Sequence, residues 1–144
     1  MPIELVEIPG LETQHQTEWK VRALVVDGRD PVRAALIRWQ RENPGDYKAI
    51  MKALRMAGQQ QRLHNQKLVK KSTDANHGNA YEFIAYTGVA RLMFFYDKGN
   101  ESLIICTNEF EKSRGDQSAA FHLCTLYRNL YFNTKPKTEN EHDE

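Results

Sequence analysis

The stretch YEFIAYTGVARLMFFYDKGNESLIICTN, residues 81–108, decides how this chain folds. It contains three runs rich in apolar, β-branched and aromatic residues: YEFIAY (81–86), VARLMFFY (89–96) and SLIICTN (102–108). Thr87-Gly88 separates the first two runs, and Asp97-Lys98-Gly99-Asn100 follows the second. Short glycine-containing connections between such runs are hairpin signals, so the stretch reads as an antiparallel meander. The middle run is apolar on both faces except at Arg91, as a central strand covered on both sides would be.

Upstream, residues 59–80 are polar and read as a loop with a short ordered piece around Leu68-Val69. Two helices precede it. Asp30 is placed to cap the first, and Pro31 suits its first position, where a missing N–H costs nothing. Val32, Ala35, Leu36 and Trp39 then form one apolar face, and Asn43-Pro44 ends the helix. The second helix starts near Asp46, repeats the spacing with Tyr47, Ile50, Met51 and Leu54, and is expected to close at Gly58. Before this α-hairpin, WKVRALVV (19–26) alternates like a strand and Asp27-Gly28 turns the chain.

Downstream of the meander, Asp116 is placed to cap a last helix in which Ala120, Leu123, Cys124, Tyr127, Leu130 and Tyr131 keep helical spacing. The order β-α-α-β-β-β-α implies one α+β domain over residues 18–132. Its small, mainly antiparallel, twisted sheet is packed by the α-hairpin and the C-terminal helix. Residues 1–17 read as an N-terminal arm whose Leu5, Val6, Ile8 and Leu11 add a strand or self-associate. Residues 133–144 read as a disordered polar tail.

Composition narrows the function classes. The 144 residues suffice for one domain, and no run approaches the roughly 20 apolar residues of a membrane helix. MPIELVEIPG lacks the basic and apolar regions of a signal peptide, so the expected location is the cytoplasm. Cys106 and Cys124 sit in apolar runs without metal-ligand spacing and read as buried free thiols. Neither they nor the five histidines point to a metal, and no cofactor is expected. The formal net charge of +1 hides an asymmetry: residues 13–133 carry 18 bases against 12 acids. From Lys48 to Lys71 there are seven bases and no acid. A basic patch of this kind fits an RNA or ribosome partner; a solvated helix face and loop is the plainer alternative.

The ordered set of elements resembles the RelE/ParE toxin superfamily, in particular HigB-like, phage-derived toxins of type II toxin–antitoxin systems. GNAYEFIAYTGVARLMFFYDKG is similar to the HigB-like segment in which a Tyr-Glu-Leu-Arg strand leads into an Arg-Val-Phe-Tyr strand. ESLIICTNEFEKSRGD resembles the apolar strand that ends there in Gly-Phe-x-Lys-Lys/Ser, and LHNQKLVKKS lies where the family often has a basic loop. The resemblance covers roughly residues 20–132. It implies a RelE-like fold and a toxin that cuts messenger RNA on the ribosome and is silenced by a cognate antitoxin. The implied reaction is attack of a ribose 2′-OH on the adjacent phosphodiester. That step needs a base, cations for the phosphorane, and a proton source for the leaving oxygen.

On this reading Arg91 matches the arginine of the Arg-Val-Phe-Tyr strand, and its planar fork suits phosphate. An ion pair with Glu82 or Glu109 is its structural alternative. Lys112, His122 and Tyr127 complete the implied catalytic set, Lys112 from the Lys-Lys/Ser position and the other two from the C-terminal region. Lys48, Lys52, Arg55, Arg62, Lys67, Lys70, Lys71 and Arg114 are the expected RNA or ribosome contacts. His64 and His77, in the polar loop, carry less weight. The family's Tyr-Glu-Leu-Arg arginine falls on Ile84 here, and no tyrosine follows Lys-Ser-Arg, where Phe121 is the nearest aromatic. Those departures keep a second class open: a non-catalytic interaction protein, such as a ParE-like inhibitor of a protein target, a phage regulator or a degenerate toxin.

Overall fold

The computed structural model describes residues 2–60, 68–73, 78–99, 101–112 and 117–134. Their elements run β1 (Ile3–Glu7), a short 3-10 turn (Thr13–His15), β2 (Lys20–Val26), α1 (Pro31–Glu42), α2 (Pro44–Gln59), β3 (Val69–Lys71), β4 (Tyr81–Ile84), β5 (Ala90–Asp97), β6 (Leu103–Glu111) and α3 (Gln117–Thr134). The strands form one sheet in the order β1-β2-β6-β5-β4-β3. Only the β2–β6 pair is parallel; the other four pairs are antiparallel. The chain is thus an α+β domain with a mixed, mainly antiparallel sheet, and the meander 81–108 supplies its centre. Among the described residues, no helix is long and apolar enough to cross a membrane.

Helices cover both faces of the sheet. Asp30 caps α1, accepting from Arg33 N at 2.9 Å, with Pro31 in the first turn. Val32, Ala35, Leu36 and Trp39 of α1, with Ile50, Met51 and Leu54 of α2, pack on Val21, Ala23, Phe83, Leu92, Phe94, Ile104 and Cys106. The opposite face carries Leu24, Met93, Phe95, Leu103 and Ile105, on which Ala120, Phe121, Cys124 and Tyr131 of α3 pack. Alternation along each strand separates the two cores, and β5 is buried on both faces because it lies between β4 and β6.

Several expectations need correction. The first 17 residues are not an arm: β1 pairs with β2 from Ile3↔Val26 to Glu7↔Arg22, and Ile8 and Leu11 are buried. Leu5 and Val6 lie in the added strand, the first of the two options left open for this segment, while Ile8 and Leu11 follow it into the core. Gly58 does not close α2. It lies buried inside the helix, where a Cβ would run into the His15 carbonyl, and its own carbonyl accepts from Glu18 N (2.8 Å) and Trp19 N (3.1 Å). Close approach of another backbone, not helix termination, requires the glycine. The short ordered piece expected around Leu68-Val69 is present as β3, which extends the sheet beyond β4. The helix 117–134 includes Asn133 and Thr134, two residues assigned to the tail. The Asp116 cap and the tail from 135 onward lie outside the described residues.

The β5–β6 pair carries one irregularity. Between Met93 and Phe94 its register shifts: Met93 faces Asn108, Phe94 faces Cys106, and Thr107 is the extra residue of a bulge. Because side chains alternate with period 2, one inserted residue exchanges the two faces of the strand beyond it. Leu103 and Ile105 point toward α3 before the bulge. After it, Asn108 and Phe110 occupy that face, and Glu109 and Glu111 turn toward α1. Thr107 donates to Asn108 Oδ1 (2.6 Å), and Asn108 Nδ2 donates to the Ala120 carbonyl (3.2 Å), which ties the bulge to α3.

Candidate functional site

The α3 face of the sheet is not covered along its whole length. Where α3 begins, a cleft of about 220 Å³ opens over the ends of β3, β4, β5 and β6. Strand register explains its lining. Lys70 stands directly across from Glu82 on the β3–β4 pair. Ile84 stands across from Arg91, and Arg91 across from Phe110. Arg91 is then the diagonal neighbour of Glu82, whose direct partner is Met93. Lys112, two residues beyond Phe110, takes the same face, its N–H donating to the Val89 carbonyl at 2.8 Å. Gln117, the first residue of α3, closes the cleft from above.

Glu82 is the chemical centre of this arrangement. It is 1% exposed, and both of its oxygens accept from Gln117 Nε2, at 2.8 and 2.9 Å. Arg91 Nε lies 3.9 Å from Glu82 Oε1. Burial pushes the Glu82 carboxyl above its usual range. The Gln117 amide opposes that rise most, followed by the charges of Arg91, Lys70 and Lys112. Arg91 is buried too, and its Nη1 donates to the carbonyls of Ala90 (2.9 Å) and Gly88 (3.2 Å). Of the two ion-pair alternatives for Arg91, the structure provides Glu82. Glu109 is bound instead by Arg38 of α1 at 3.1 Å, and Arg38 also reaches Glu111 at 3.2 Å.

The turn that carries Arg91 is itself held from the other face. Asp46, in the first turn of α2, accepts from Val89 N (2.8 Å) and Ala90 N (2.9 Å). Gly88 lies so close to this carboxylate that any Cβ would collide with it, and Thr87 beside it has a positive φ of 71°. Asp46 therefore positions the β4–β5 turn, and the turn positions the guanidinium.

The sequence-derived candidates divide accordingly. Arg91, Lys70 and Lys112 meet in the cleft. His122 and Tyr127 do not line it: His122 is exposed on α3, and Tyr127 packs against the core beneath that helix. At 1.5 Å per residue they lie about 7 and 15 Å along the helix from Gln117. Lys48, Lys52 and Arg55 belong to α2, which packs on the opposite face of the sheet, so they share no surface with the cleft. Lys71 points to that opposite face as well, its ammonium 5.9 Å from the Tyr81 ring centroid. Arg62, Lys67 and Arg114, with His64 and His77, lie outside the described residues. Glu82, expected only as an ion-pair alternative for Arg91, and Gln117 also line the cleft. Glu82 had a signal, a lone acid in an apolar strand two positions from an arginine-facing residue; Gln117 had none.

Cys106 and Cys124 are both buried and free. Burial raises both thiols, Cys124 to about 12, so neither is a thiolate nucleophile at neutral pH. Among the described residues, no group of His, Cys, Asp and Glu is placed to hold a metal ion. The chain matches no family model, and neither a curated protein nor a solved structure is similar enough to match it.

Proposed function

We propose that the chain is a RelE/HigB-like toxin that cuts messenger RNA on the ribosome, with the cleft around Glu82 and Arg91 as its active site. The observation that carries this reading is a buried carboxylate with a raised pKa beside one guanidinium and two lysines in a single cleft. The core order β-α-α-β-β-β-α, with β1 and β3 as additions, supports the RelE-like topology.

Glu82 takes the 2′-OH proton. The 2′ oxygen forms a bond to phosphorus as the bond to the 5′ oxygen breaks, leaving a cyclic phosphate and a 5′-hydroxyl. Arg91 and Lys70 balance the charge of the phosphorane. Lys112, exposed at the rim, delivers the proton to the leaving oxygen. The Gln117 amide must leave Glu82 when a ribose enters, which makes the first turn of α3 the part that substrate or ribosome rearranges. The expected partners are the ribosome with its mRNA and a cognate antitoxin that covers the cleft; the expected compartment is the cytoplasm.

The test is a translating extract in which messenger 5′ ends are mapped by primer extension. Wild type should give codon-phased cuts. Arg91→Ala and Glu82→Gln should each lower the cutting rate on the order of 100-fold, the usual effect of losing one charge-stabilising or proton-transfer group. Cuts that survive Glu82→Gln would remove the base assignment, and cuts that survive Arg91→Ala would remove the site. The second reading, a non-catalytic interaction protein on the same fold, is favoured by one specific feature: Gln117 occupies both Glu82 oxygens while His122 and Tyr127 stand outside the cleft. Folded protein that binds its antitoxin and never cuts would establish that reading instead.

A further inference from the structure

A second cavity, of about 320 Å³, lies at the other end of α3, where β4 begins and β5 ends. Arg91 and Asp97 are six residues apart on β5, so the two openings are separated by roughly 20 Å. The lining differs in kind from that of the first cleft. Tyr81, Tyr96 and Phe132 present aromatic rings, Lys98 and Arg128 supply positive charge, and Asn79 adds an amide.

We propose that this cavity is a nucleotide-binding subsite, in which a base lies against Tyr96 and Tyr81 and its phosphate is held by Arg128 and Lys98. This needs no catalysis and is independent of the endonuclease reading.

The rings form a continuous ladder. Trp19 and Tyr96 have centroids 4.9 Å apart, Tyr96 and Tyr81 also 4.9 Å, and Tyr81 stacks on Phe94 at 5.4 Å. Tyr96 and Tyr81 are thus braced from behind by the core and reach the cavity with their positions fixed. Two of the lining rings, those of Tyr96 and Phe132, carry a cation that also lines the cavity. Lys98 Nζ lies 5.5 Å from the Tyr96 centroid and the Arg128 guanidinium 4.8 Å from that of Phe132. Long cationic side chains resting on rings are readily displaced, because a surface cation–π contact is worth only about 0.5–1 kcal/mol. A nucleotide replaces both halves of that contact at once: the base takes the ring face and the phosphate takes the cation. Aromatic rings interleaved with basic residues are the combination that binds single-stranded nucleic acid without reading its sequence.

Asp97 sets the direction. Its carboxylate accepts from Tyr131 Oη at 2.6 Å and from Gly99 N at 3.0 Å. Its charge repels phosphate from that side, so the phosphate lies toward Arg128 and Lys98. The Tyr96 phenol, raised by burial and by Tyr81 to about 12, keeps its proton at neutral pH and adds no negative charge.

The experiment is calorimetric titration of the full chain with AMP, with a hexa-adenylate RNA and with inorganic pyrophosphate, following Trp19 fluorescence in parallel. AMP should bind and quench. Arg128→Gln and Lys98→Gln should each weaken AMP at least about fivefold, the low end of what one base-stacking or charged contact contributes. Arg91→Gln, in the other cleft, should leave AMP binding within about twofold, an effect too small for a lost direct contact. Tyr96→Leu should weaken AMP but not pyrophosphate, with circular dichroism checking its fold. A hexamer that binds about tenfold more tightly than AMP identifies a strand as the natural ligand, and equal affinity identifies a free nucleotide. Pyrophosphate binding as tightly as AMP, a loss confined to Arg91→Gln, or no binding at roughly 1 mM AMP or hexamer would each overturn the proposal.

Discussion

The two faces of the sheet differ in how completely they are covered. The α1/α2 face is closed over its centre, with Trp39, Ile50, Leu54, Phe83 and Phe94 nearly or wholly buried, while Trp19, Tyr81 and Tyr96 at one end are half-buried. At its edge Glu111 accepts from Trp39 Nε1 at 3.1 Å and pairs with Arg38, whose buried Nε is left without a partner among the described residues. The α3 face is covered by one helix, and the contact starts at Ala120, after the first turn. Beyond that point the same sheet carries Glu82 and Arg91 where the other face carries Phe83 and Leu92. A single helix leaves room for charged side chains that a helical hairpin would bury without partners. The closed face supports the fold, and the open face leaves the cleft.

Two buried carboxylates sharpen the contrast. Asp46, facing the closed side, is satisfied by two backbone N–H groups of a turn. Glu82, facing the open side, is satisfied by a side-chain amide from a helix end and by a guanidinium at salt-bridge range. Backbone donors are fixed by the fold, whereas an amide at the first residue of a helix can rotate away.

The largest effect is expected from Trp39→Ala on the closed face, at about 3–5 kcal/mol in chemical denaturation. Phe121→Ala, under α3, should cost less, because its surroundings border open space into which they can relax. Equal losses would refute the difference in coverage. Asp46→Ala should cost about 2–3 kcal/mol through two unpaired N–H groups. It should also lower RNA cutting, since the turn it holds carries Arg91.

The smallest effect is a pH dependence. The folded-state pKa of Glu82 lies above the ordinary value of 4.5. As pH rises past that ordinary value the unfolded chain loses this proton before the folded one, so stability falls until the folded pKa is passed. Glu82→Gln removes the contribution. The variant should therefore gain stability relative to wild type as pH rises from below 4.5 toward neutrality in paired thermal melts. A constant difference across that range would show that burial does not perturb Glu82.

Much of the fold was legible in the chain. Period-2 runs, glycine-bearing connections, the Asp30-Pro31 start and two helical faces specify the meander, the α-hairpin and the last helix, because each signal is local and depends on neighbours within about one turn or one strand. The exception Arg91 in an apolar strand was legible for the same reason. Four things were decided only in three dimensions. The pairing of β1 with β2 is a long-range choice among apolar segments. Gly58 serves a backbone that approaches from residue 15. The bulge at Thr107 has no composition signal, yet it determines that Lys112 and not Glu111 faces the cleft. The union of Lys70, Glu82, Arg91 and Gln117 depends on the register of three strands and the landing point of a helix. Patterns along the chain determine which residues are inside; only packing determines which buried charges meet, because register and coverage are set by contacts far apart in sequence.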